Sequence, residues 1–413
     1  MHPSETKRAS FLHNIYKCKM AKKRHRHNPT PTTDKQRHSI FFWIMLFLNV
    51  VAAIPLLMAL CAGFIPPSCG GALVICGIGF KYILWVNLAF VVLWLPFNYP
   101  WCLVSLSLVL LNVNNIDKHF QLHGSDVPET CPNSVKVMSY NVNLFGLYKD
   151  DDMKKRITEK DNILGFIGEV QPDILCFQEY FWDKSEQLQF HTTDTLLKIL
   201  NLEDNKEHYY QYFTNTNKRQ YYYGLAIFSR YRIVEAAPIV TDSSSNAAMY
   251  IDIKYRSDTF RIYNLHLTSL HMDATDYSVS EQFTNNNFSD PKMDKNIKKL
   301  YRKLTKSAVQ RQHQVKILRE HMDSCRYPMI VCGDFNDTPA GYAYNRISKK
   351  LKDSFRESGS GHGYTHHGNG MPPYRIDYIL HSPDYNDFGY TVGDSISVSD
   401  HYPIYATISL LRK

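Results

Sequence analysis

The sequence lacks the cysteine spacing of a zinc ribbon or a thioredoxin-like protein, because its nine cysteines include no CxxC pair. Glycine and proline number only 19 each among 413 residues, which excludes collagen-like and low-complexity structure. With 44% hydrophobic and 21% charged residues, the composition also excludes a mainly disordered chain. The length predicts a folded protein of two or three units, at about 100–200 residues per domain.

Positive charge is concentrated at one end of the chain. Residues 1–39 carry ten Lys or Arg against two acidic residues, whereas residues 134–413 carry 35 basic and 34 acidic residues. A broad nucleic-acid-binding face needs a net basic patch, so the near-neutral C-terminal unit argues against one. The positive-inside rule predicts that the basic tail is cytoplasmic. There it either is solvated or binds anionic lipid headgroups.

Three apolar runs follow the tail. Residues 40–63 carry no charge, and residues 73–95 are interrupted only by Lys81 and Asn87. Each run is long enough to cross the hydrocarbon core as a helix, whereas the third run, residues 100–113, is short for a span. The alternative is a helical hairpin buried in a soluble protein. We predict an integral protein of the inner or plasma membrane, with the C-terminal unit outside the cytoplasm if three helices span, as we favour, and inside if two do.

The sequence therefore predicts four segments: a basic cytoplasmic tail (1–39), a transmembrane region of two or three helices (40–113), a polar linker (114–133) and a catalytic domain (134–413). The last segment alternates predicted strands and helices, which is typical of an α/β layered sandwich. Residues 271–295 are polar and Asn-rich, which predicts a long loop. The predicted strands cover residues 135–141, 173–179, 209–213, 224–229, 248–255, 260–267, 328–336, 375–382 and 401–410, and the predicted helices cover 154–170, about 190–200 and 297–322.

Polar side chains recur where these predicted strands end. A polar group at a strand end projects from a rigid support above the sheet edge, so several such groups can converge on one site. The set comprises Asn141, Glu179, His266, Asp334, Asn336, Asp377, Asp400 and His401. Each has a simpler explanation taken alone, such as a turn former, a surface acid or a helix cap. The ordered set, rather than any single residue, indicates chemistry.

These residue types suit metal-assisted hydrolysis. Glu179 and Asp400 offer hard oxygen ligands that favour Mg²⁺, Mn²⁺ or Ca²⁺ over zinc. His401 beside an acid can act as a general base on water, and Asp377 can orient that imidazole. Asn and His donors can neutralise charge that develops on phosphate oxygens. Together they provide for attack of water on a phosphoester.

Seven motifs occur in order along residues 134–413: SYNVNLF, QPDILCFQE, YGLAIFSR, YNLHL, VCGDFND, RIDYIL and SDHYPI. Each motif is weak alone, but their order and spacing together are specific. They resemble the motifs of the endonuclease/exonuclease/phosphatase superfamily, and the apolar runs resemble those of a bacterial, membrane-anchored branch of it. The resemblance implies a four-layer α/β sandwich of two packed mixed sheets flanked by helices, and metal-dependent phosphoester hydrolysis with Mg²⁺ or Mn²⁺.

The resemblance also implies a metal site. Glu179 looks like the principal metal ligand with Asn141 beside it, and Asp400 looks like a further ligand of metal or water. One position departs from the pattern: some abasic-site nucleases carry an aspartate two residues after the first Asn, where this chain has Asn143. A neutral amide there weakens the case for a second metal and for a nuclease.

Catalytic roles are implied for five residues. Asp334 and Asn336 would position the attacking water and the phosphate. His266 would contact the phosphate or assist the leaving group. His401 would be the base or a phosphate ligand, with Asp377 as its orienting acid.

Three hypotheses for the function follow. The first is a membrane-anchored phosphodiesterase or phosphatase, whose substrate is a lipid headgroup or a small phosphodiester and whose tether binds the lipid bilayer. The second is a membrane-tethered nuclease that acts on DNA or RNA. The third is a non-catalytic membrane-bound module, which the complete set of motifs disfavours. No protein partner can be inferred from the sequence.

Overall fold

The computed structural model describes residues 39–185, 187–216, 220–239, 248–270, 293–368 and 372–410. The predicted basic tail, apart from residue 39, and most of the predicted loop at 271–295 lie outside the described residues. The chain divides into two compact units, Met1–Leu48 and Asn49–Lys413. Of the first unit, the described residues form the first turns of a helix, with side chains such as Ile40 and Phe47 largely exposed.

The N-terminal part of the chain is helical as predicted. Two helices are long and apolar enough to cross a membrane, and a third span exists if the bent pair Tyr99–Leu111 and Val113–His119 counts as one. The predicted run 73–95 is two helices rather than one, because the chain breaks at Gly79, whose N–H caps the preceding helix at the carbonyl of Ile75. The helices are α1 (Ile40–Ala62), α2 (Gly71–Ile78), α3 (Phe80–Asn98), α4 (Cys102–Leu111) and α5 (Val113–His119).

Polar side chains within these apolar helices pair with one another. The Ser105 hydroxyl lies 2.6 Å from Asn49 Oδ1 and 3.0 Å from Asn87 Oδ1, and all three residues are buried. Asn87 Nδ2 also donates to the carbonyl of Ala52, 3.0 Å away. Because a lipid environment offers no partners for such groups, these contacts favour packing of α1, α3 and α4 against one another.

The segment expected to be a linker, residues 114–133, is bound along much of its length. It begins inside α5, where Lys118 Nζ donates to Asn345 Oδ1 at 2.5 Å. Further on, Gln121 and Gly361 exchange two backbone hydrogen bonds, of 2.9 and 2.8 Å. These hydrogen bonds attach the segment to the domain that follows, although most of residues 121–133 are exposed.

The C-terminal domain contains two six-stranded mixed sheets. Their strand orders are β11-β12-β1-β2-β4-β3 and β5-β6-β7-β8-β10-β9, with β1 parallel to β2 and β7 parallel to β8. The strands are β1 (Ser134–Asn141), β2 (Ile174–Asp183), β3 (Tyr209–Thr216), β4 (Tyr221–Ser229), β5 (Ile233–Ile239), β6 (Ala248–Tyr255), β7 (Asp258–His266), β8 (Met329–Asp334), β9 (Lys352–Asp353), β10 (Asp377–His381), β11 (Asn386–Val392) and β12 (Ile404–Ser409). The helices are α6 (Met153–Val170), α7 (Thr192–Ile199), α8 (Met293–Ser324), α9 (Tyr342–Ile347) and α10 (Ser354–Ser358).

The core has one layer between the sheets and one on each outer face. Side chains from β1, β2 and β12 meet those from β6, β7 and β8 in the middle layer. Helices α6 and α7 cover the outer face of the first sheet, and α8 covers that of the second. This order of helix, sheet, sheet and helix confirms the predicted four-layer α/β sandwich.

Gly333 allows β7 and β8 to approach each other next to the site described below. Its φ of +138° is unsuited to other residues, and an added Cβ would lie 2.0 Å from the carbonyl oxygen of Leu265. We expect Gly333→Ala to lower the Tm of the purified protein in detergent by at least about 5 °C, because backbone must move to relieve the clash. Gly165→Ala is the control: Gly165 lies in α6 with open space around its Cβ position, so that Tm should stay the same or rise. An unchanged Tm for Gly333→Ala would contradict this account.

Candidate active site

The predicted site residues come together because of how the strands pair. In the first sheet, β1 and β2 run parallel, and β1 ends beside the middle of β2, where Asn141 pairs with Gln178. The sequence predicted that β2 ends at Glu179, but the strand continues to Asp183. β12 starts opposite the end of β1. In the second sheet, β7 and β8 end side by side, and Asp377 at the start of β10 pairs with Asp334 at the end of β8. Strand ends and strand starts therefore meet at one edge of the sandwich.

Asn141, Glu179, His266 and Asp334 form a group that joins the two sheets. Asn141 Nδ2 donates to Asp334 Oδ2 at 3.1 Å and lies 3.5 Å from Glu179 Oε1. His266 Nε2 lies 3.7 Å from both Glu179 Oε1 and Asp334 Oδ2. All but Glu179 are buried, and the Glu179 side chain is 35% exposed, so this carboxylate faces the opening of the site.

Backbone irregularities direct two of these side chains. The pairing of β2 with β4 shifts register between Phe177 and Tyr180, and Glu179 within this bulge has a φ of +51°. A bulge reorients a side chain relative to the regular strand. Asn336 also has a φ of +51°; its N–H donates to Asp334 Oδ1 at 2.8 Å, and its Nδ2 donates to Asp334 Oδ2 at 3.0 Å. Left-handed backbone at non-glycine residues is uncommon and concentrates at functional sites.

His401 and Asp377 form a buried ion pair beside this group. His401 Nδ1 donates to Asp377 Oδ2 at 2.8 Å, and its Nε2 lies 3.8 Å from Asp334 Oδ2. Burial by itself would lower the pKa of His401, but the carboxylates of Asp377 and Asp334 raise that pKa to about 10. Burial, with the nearby charge of Asp377, raises the pKa of Asp334 to about 6. The imidazole is therefore held in one orientation, with its second nitrogen directed at Asp334.

Asp400 lies on the other side of His401, in a second group. Asn143 Nδ2 donates to Asp400 Oδ1 at 3.0 Å, and His366 Nε2 lies 3.9 Å from Asp400 Oδ2. Burial would raise the pKa of Asp400, but the His401 and His366 rings lower it. Asp400 and Asn143 line a cavity of about 400 Å³. Asn143, the residue that departs from the motif of some abasic-site nucleases, thus contacts Asp400, one of the predicted metal ligands.

His366 belongs to the site although the sequence analysis did not include it. Its ring packs edge-on against His401 with centroids 5.0 Å apart, and its backbone bridges both Tyr374 and His401. The sequence does carry a signal, because the His366-His367 pair stands shortly before the RIDYIL motif that contains Asp377.

The residues present fit a divalent cation. Two groups of ligand atoms each lie within 4.8 Å of one another, one formed by Asp334, Asp377 and His401 and one by His366, Asp400 and His401. Asp377 Oδ1 is buried and has no hydrogen-bond partner among the described residues. Several carboxylates so close together repel one another, and a bound cation would relieve that repulsion. Carboxylate and amide oxygens are the ligands of hard divalent ions.

A family model described as "Endonuclease/Exonuclease/phosphatase family" matches residues 138–401, and one described as "Domain of unknown function (DUF8431)" matches residues 40–119. No curated protein matches the chain. Among solved structures, the chain is similar to an endonuclease/exonuclease/phosphatase from Beutenbergia cavernae (16% identity, 68% of this chain and 72% of that chain covered, TM-score 0.46). It is also similar to an endonuclease/exonuclease/phosphatase family protein from Leptotrichia buccalis (19% identity, 66% of this chain and 99% of that chain covered, TM-score 0.43). A third similar structure is the human Nocturnin catalytic domain with bound sulfate (17% identity, 67% of this chain and 94% of that chain covered, TM-score 0.43).

The family match covers well over half of the chain and includes every predicted site residue and all strands except β12 and the start of β1. Enzymes with this fold generally use a divalent metal, and this chain supplies an acidic and imidazole cluster that suits one. The chain belongs to the endonuclease/exonuclease/phosphatase family, whose members are hydrolases that cleave phosphoester bonds.

Proposed function

We propose that the protein is a membrane-anchored phosphodiesterase or phosphatase that uses Mg²⁺ or Mn²⁺. The observation that carries the proposal is the convergence of Glu179 in the β2 bulge, Asp334 at the end of β8 and His401 just before β12 on one edge of the sandwich. Glu179 and Asn141 would hold the metal, with Asp400 as a further ligand of metal or water. A bound divalent ion would polarise the phosphoryl group and assist ionisation of the attacking water.

The remaining residues orient the reactants. Asp334 accepts a hydrogen bond from the attacking water, and Asn336 holds Asp334 in place through its N–H and Nδ2. His266 donates to a phosphate oxygen from its position between Glu179 and Asp334. His401, oriented and charged through Asp377, donates to a second phosphate oxygen. These donors stabilise the negative charge that grows as the phosphoester bond breaks.

A substrate panel tests this function. The full chain in detergent with Mg²⁺ should hydrolyse bis-(p-nitrophenyl) phosphate and phospholipids faster than single-stranded DNA, duplex DNA or RNA. The near-neutral charge of residues 134–413 supports this order, since polynucleotide binding depends on basic surface. Faster cleavage of a polynucleotide would favour the nuclease alternative, and the absence of all hydrolysis would favour the non-catalytic one.

We propose an odd number of membrane crossings. Gly77 accepts from Thr338 at 3.2 Å, Lys81 Nζ donates to Pro373 at 2.6 Å, and Lys118 contacts Asn345. The start of α3 and the segment after α4 therefore contact the same domain and lie on the same side of the membrane. The chain between them must cross the membrane an even number of times. With α1 as one more span, the catalytic domain lies on the side of the membrane opposite to the basic tail, which the positive-inside rule assigns to the cytoplasm.

Protease accessibility tests this topology. In intact spheroplasts of a bacterial host, a tag at the C-terminus should be removed by added protease, whereas a tag at the N-terminus should be protected. Lysed spheroplasts, in which both tags should be cleaved, are the control. A C-terminal tag that stays protected until lysis would contradict three spans.

A further inference from the structure

We propose that a cavity of about 670 Å³ beside the catalytic site admits a zwitterionic membrane phospholipid, one whose headgroup carries an ammonium group, as the substrate. The inference rests on the proposed function and names its substrate class. It is carried by three independent features of the cavity: how its walls are built, which parts of the chain it touches, and which charges line it.

The walls of the cavity are held in place by hydrogen bonds. One wall is the segment that follows the membrane helices, including Ser125, and the adjoining wall is the loop that starts at Ser358. Ser125 N–H donates to the carbonyl of Ser358 at 3.1 Å, and Ser125 in turn accepts from Gly389 at 2.7 Å. Because the backbone of both walls is fixed, the cavity is part of the fold.

The ends of the membrane helices touch the rim of the cavity. Lys81, the second residue of α3, donates to the carbonyl of Pro373, and its ammonium lies 4.6 Å from the ring centroid of Tyr364. Phe120, the residue after α5, packs on His362 with ring centroids 5.0 Å apart. Pro373, Tyr364 and His362 all line the cavity. A headgroup in the bilayer surface around these helices is therefore close to the opening.

The same cavity adjoins the catalytic site. His367 lines both this cavity and the one that contains Asp400. Its N–H donates to the Asp400 carbonyl at 3.0 Å, and the preceding residue, His366, packs against His401. A phosphoester bound in this cavity is therefore next to the cavity that contains Asp400, one of the proposed ligands.

The lining favours an ammonium group over a polyanion. Asp126 and Asp394 place exposed carboxylates on it, and no Lys or Arg occurs among the described residues that line it. Its aromatic side chains can attract cations through the negatively polarised faces of their rings. Phosphatidylethanolamine or phosphatidylcholine meets these conditions, whereas phosphatidylglycerol or a polynucleotide does not.

A competition between two lipids tests the proposal. The full chain is reconstituted with Mg²⁺ into vesicles of phosphatidylethanolamine and phosphatidylglycerol at equal amounts, and consumption of each lipid is followed by mass spectrometry. We expect phosphatidylethanolamine to be consumed at least about tenfold faster, because the carboxylates on the lining attract its ammonium group and do not attract the anionic headgroup of phosphatidylglycerol. Equal rates, or faster loss of phosphatidylglycerol, would overturn the inference. Hydrolysis of bis-(p-nitrophenyl) phosphate by the same sample distinguishes this result from failure of the proposed function, which would abolish that reaction as well.

Charge reversal in the cavity provides the second test. The double variant Asp126→Lys/Asp394→Lys should lower the ratio of phosphatidylethanolamine to phosphatidylglycerol consumption by at least about tenfold, because the carboxylates that select the ammonium are replaced by cations. Asp258→Lys is the matched control: this exposed acid lies at the end of β7 opposite to His266 and should leave the ratio unchanged. The milder Asp126→Asn/Asp394→Asn variant serves if the double lysine variant does not fold. An unaltered ratio in a folded cavity variant would refute the role of this cavity.

Discussion

Asp334→Asn should lower kcat for hydrolysis of bis-(p-nitrophenyl) phosphate by at least about 10²-fold, the scale expected for a positioned proton acceptor. The substitution keeps the shape of the side chain and removes its charge. Asp334 is 1% exposed, and its carboxylate contacts four residues: Asn141, Asn336, His266 and His401. The variant therefore loses the negatively charged acceptor for the attacking water and for these surrounding donors. The measurement is steady-state turnover of the purified full chain with saturating Mg²⁺.

His401→Ala provides an independent variant with the same expected loss, because it removes the charged donor that Asp377 orients. The two losses should not add in the double variant, since the residues act on the same phosphoryl group. Asp258→Asn, a charge change at the far end of β7, should leave turnover unchanged. Near-normal turnover in either Asp334→Asn or His401→Ala, with Tm preserved, would contradict the proposed roles.

The four-layer fold was predictable because its central strands have a clear pattern. β2 and β8 are buried on both faces and begin with apolar runs, β1 is rich in apolar residues, and β6 and β7 were recognised from their alternation. The long helix α8 was predicted from its one-sided apolar residues, within four residues at its start and two at its end.

Two edge strands, β5 and β11, were missed for physical reasons, whereas the edge strand β3 was predicted. β5 and β11 form the outer strand of their sheets, and a strand with one partner needs neither continuous apolar residues nor good strand formers. β5 contains Pro238, and β11 contains Asn386, Asp387 and Gly389, all of which argue against a strand when read locally. Only pairing with β6 and β12 reveals them.

The site was predictable to the extent that its residues stand in recognisable motifs at strand ends. All eight predicted residues lie at the same edge of the sandwich, in two groups that share His401. The contribution of His366 was not predictable in the same way, because it depends on a loop that crosses back over His401. The contacts of Lys81 and Phe120 with that loop join residues more than 200 positions apart, and no local pattern signals them.

Removal of divalent metal should abolish hydrolysis. EDTA treatment should reduce turnover of bis-(p-nitrophenyl) phosphate to background, and added Mg²⁺ or Mn²⁺ should restore it, because the water and the phosphoryl group depend on the cation for activation. The acidic cluster should also be less stable without a cation, so EDTA should lower Tm and either ion should raise it again. Hydrolysis that persists in excess chelator would exclude the metal-dependent mechanism.

Glu179→Gln tests which residue holds the cation. The amide preserves the side-chain shape in the β2 bulge but removes the charge that faces the opening, so the Mg²⁺ concentration for half-maximal activity should rise at least about tenfold. Binding of Mn²⁺, followed by the electron paramagnetic resonance signal of the free ion, should weaken in parallel. Glu169→Gln is the matched control, because Glu169 lies near the end of α6, away from the strand ends that form the site. If Glu179→Gln bound Mn²⁺ as tightly as the wild type while Asp400→Asn did not, the cation would belong to the group around Asp400 and His366, on the other side of His401, instead of to Glu179 and Asn141.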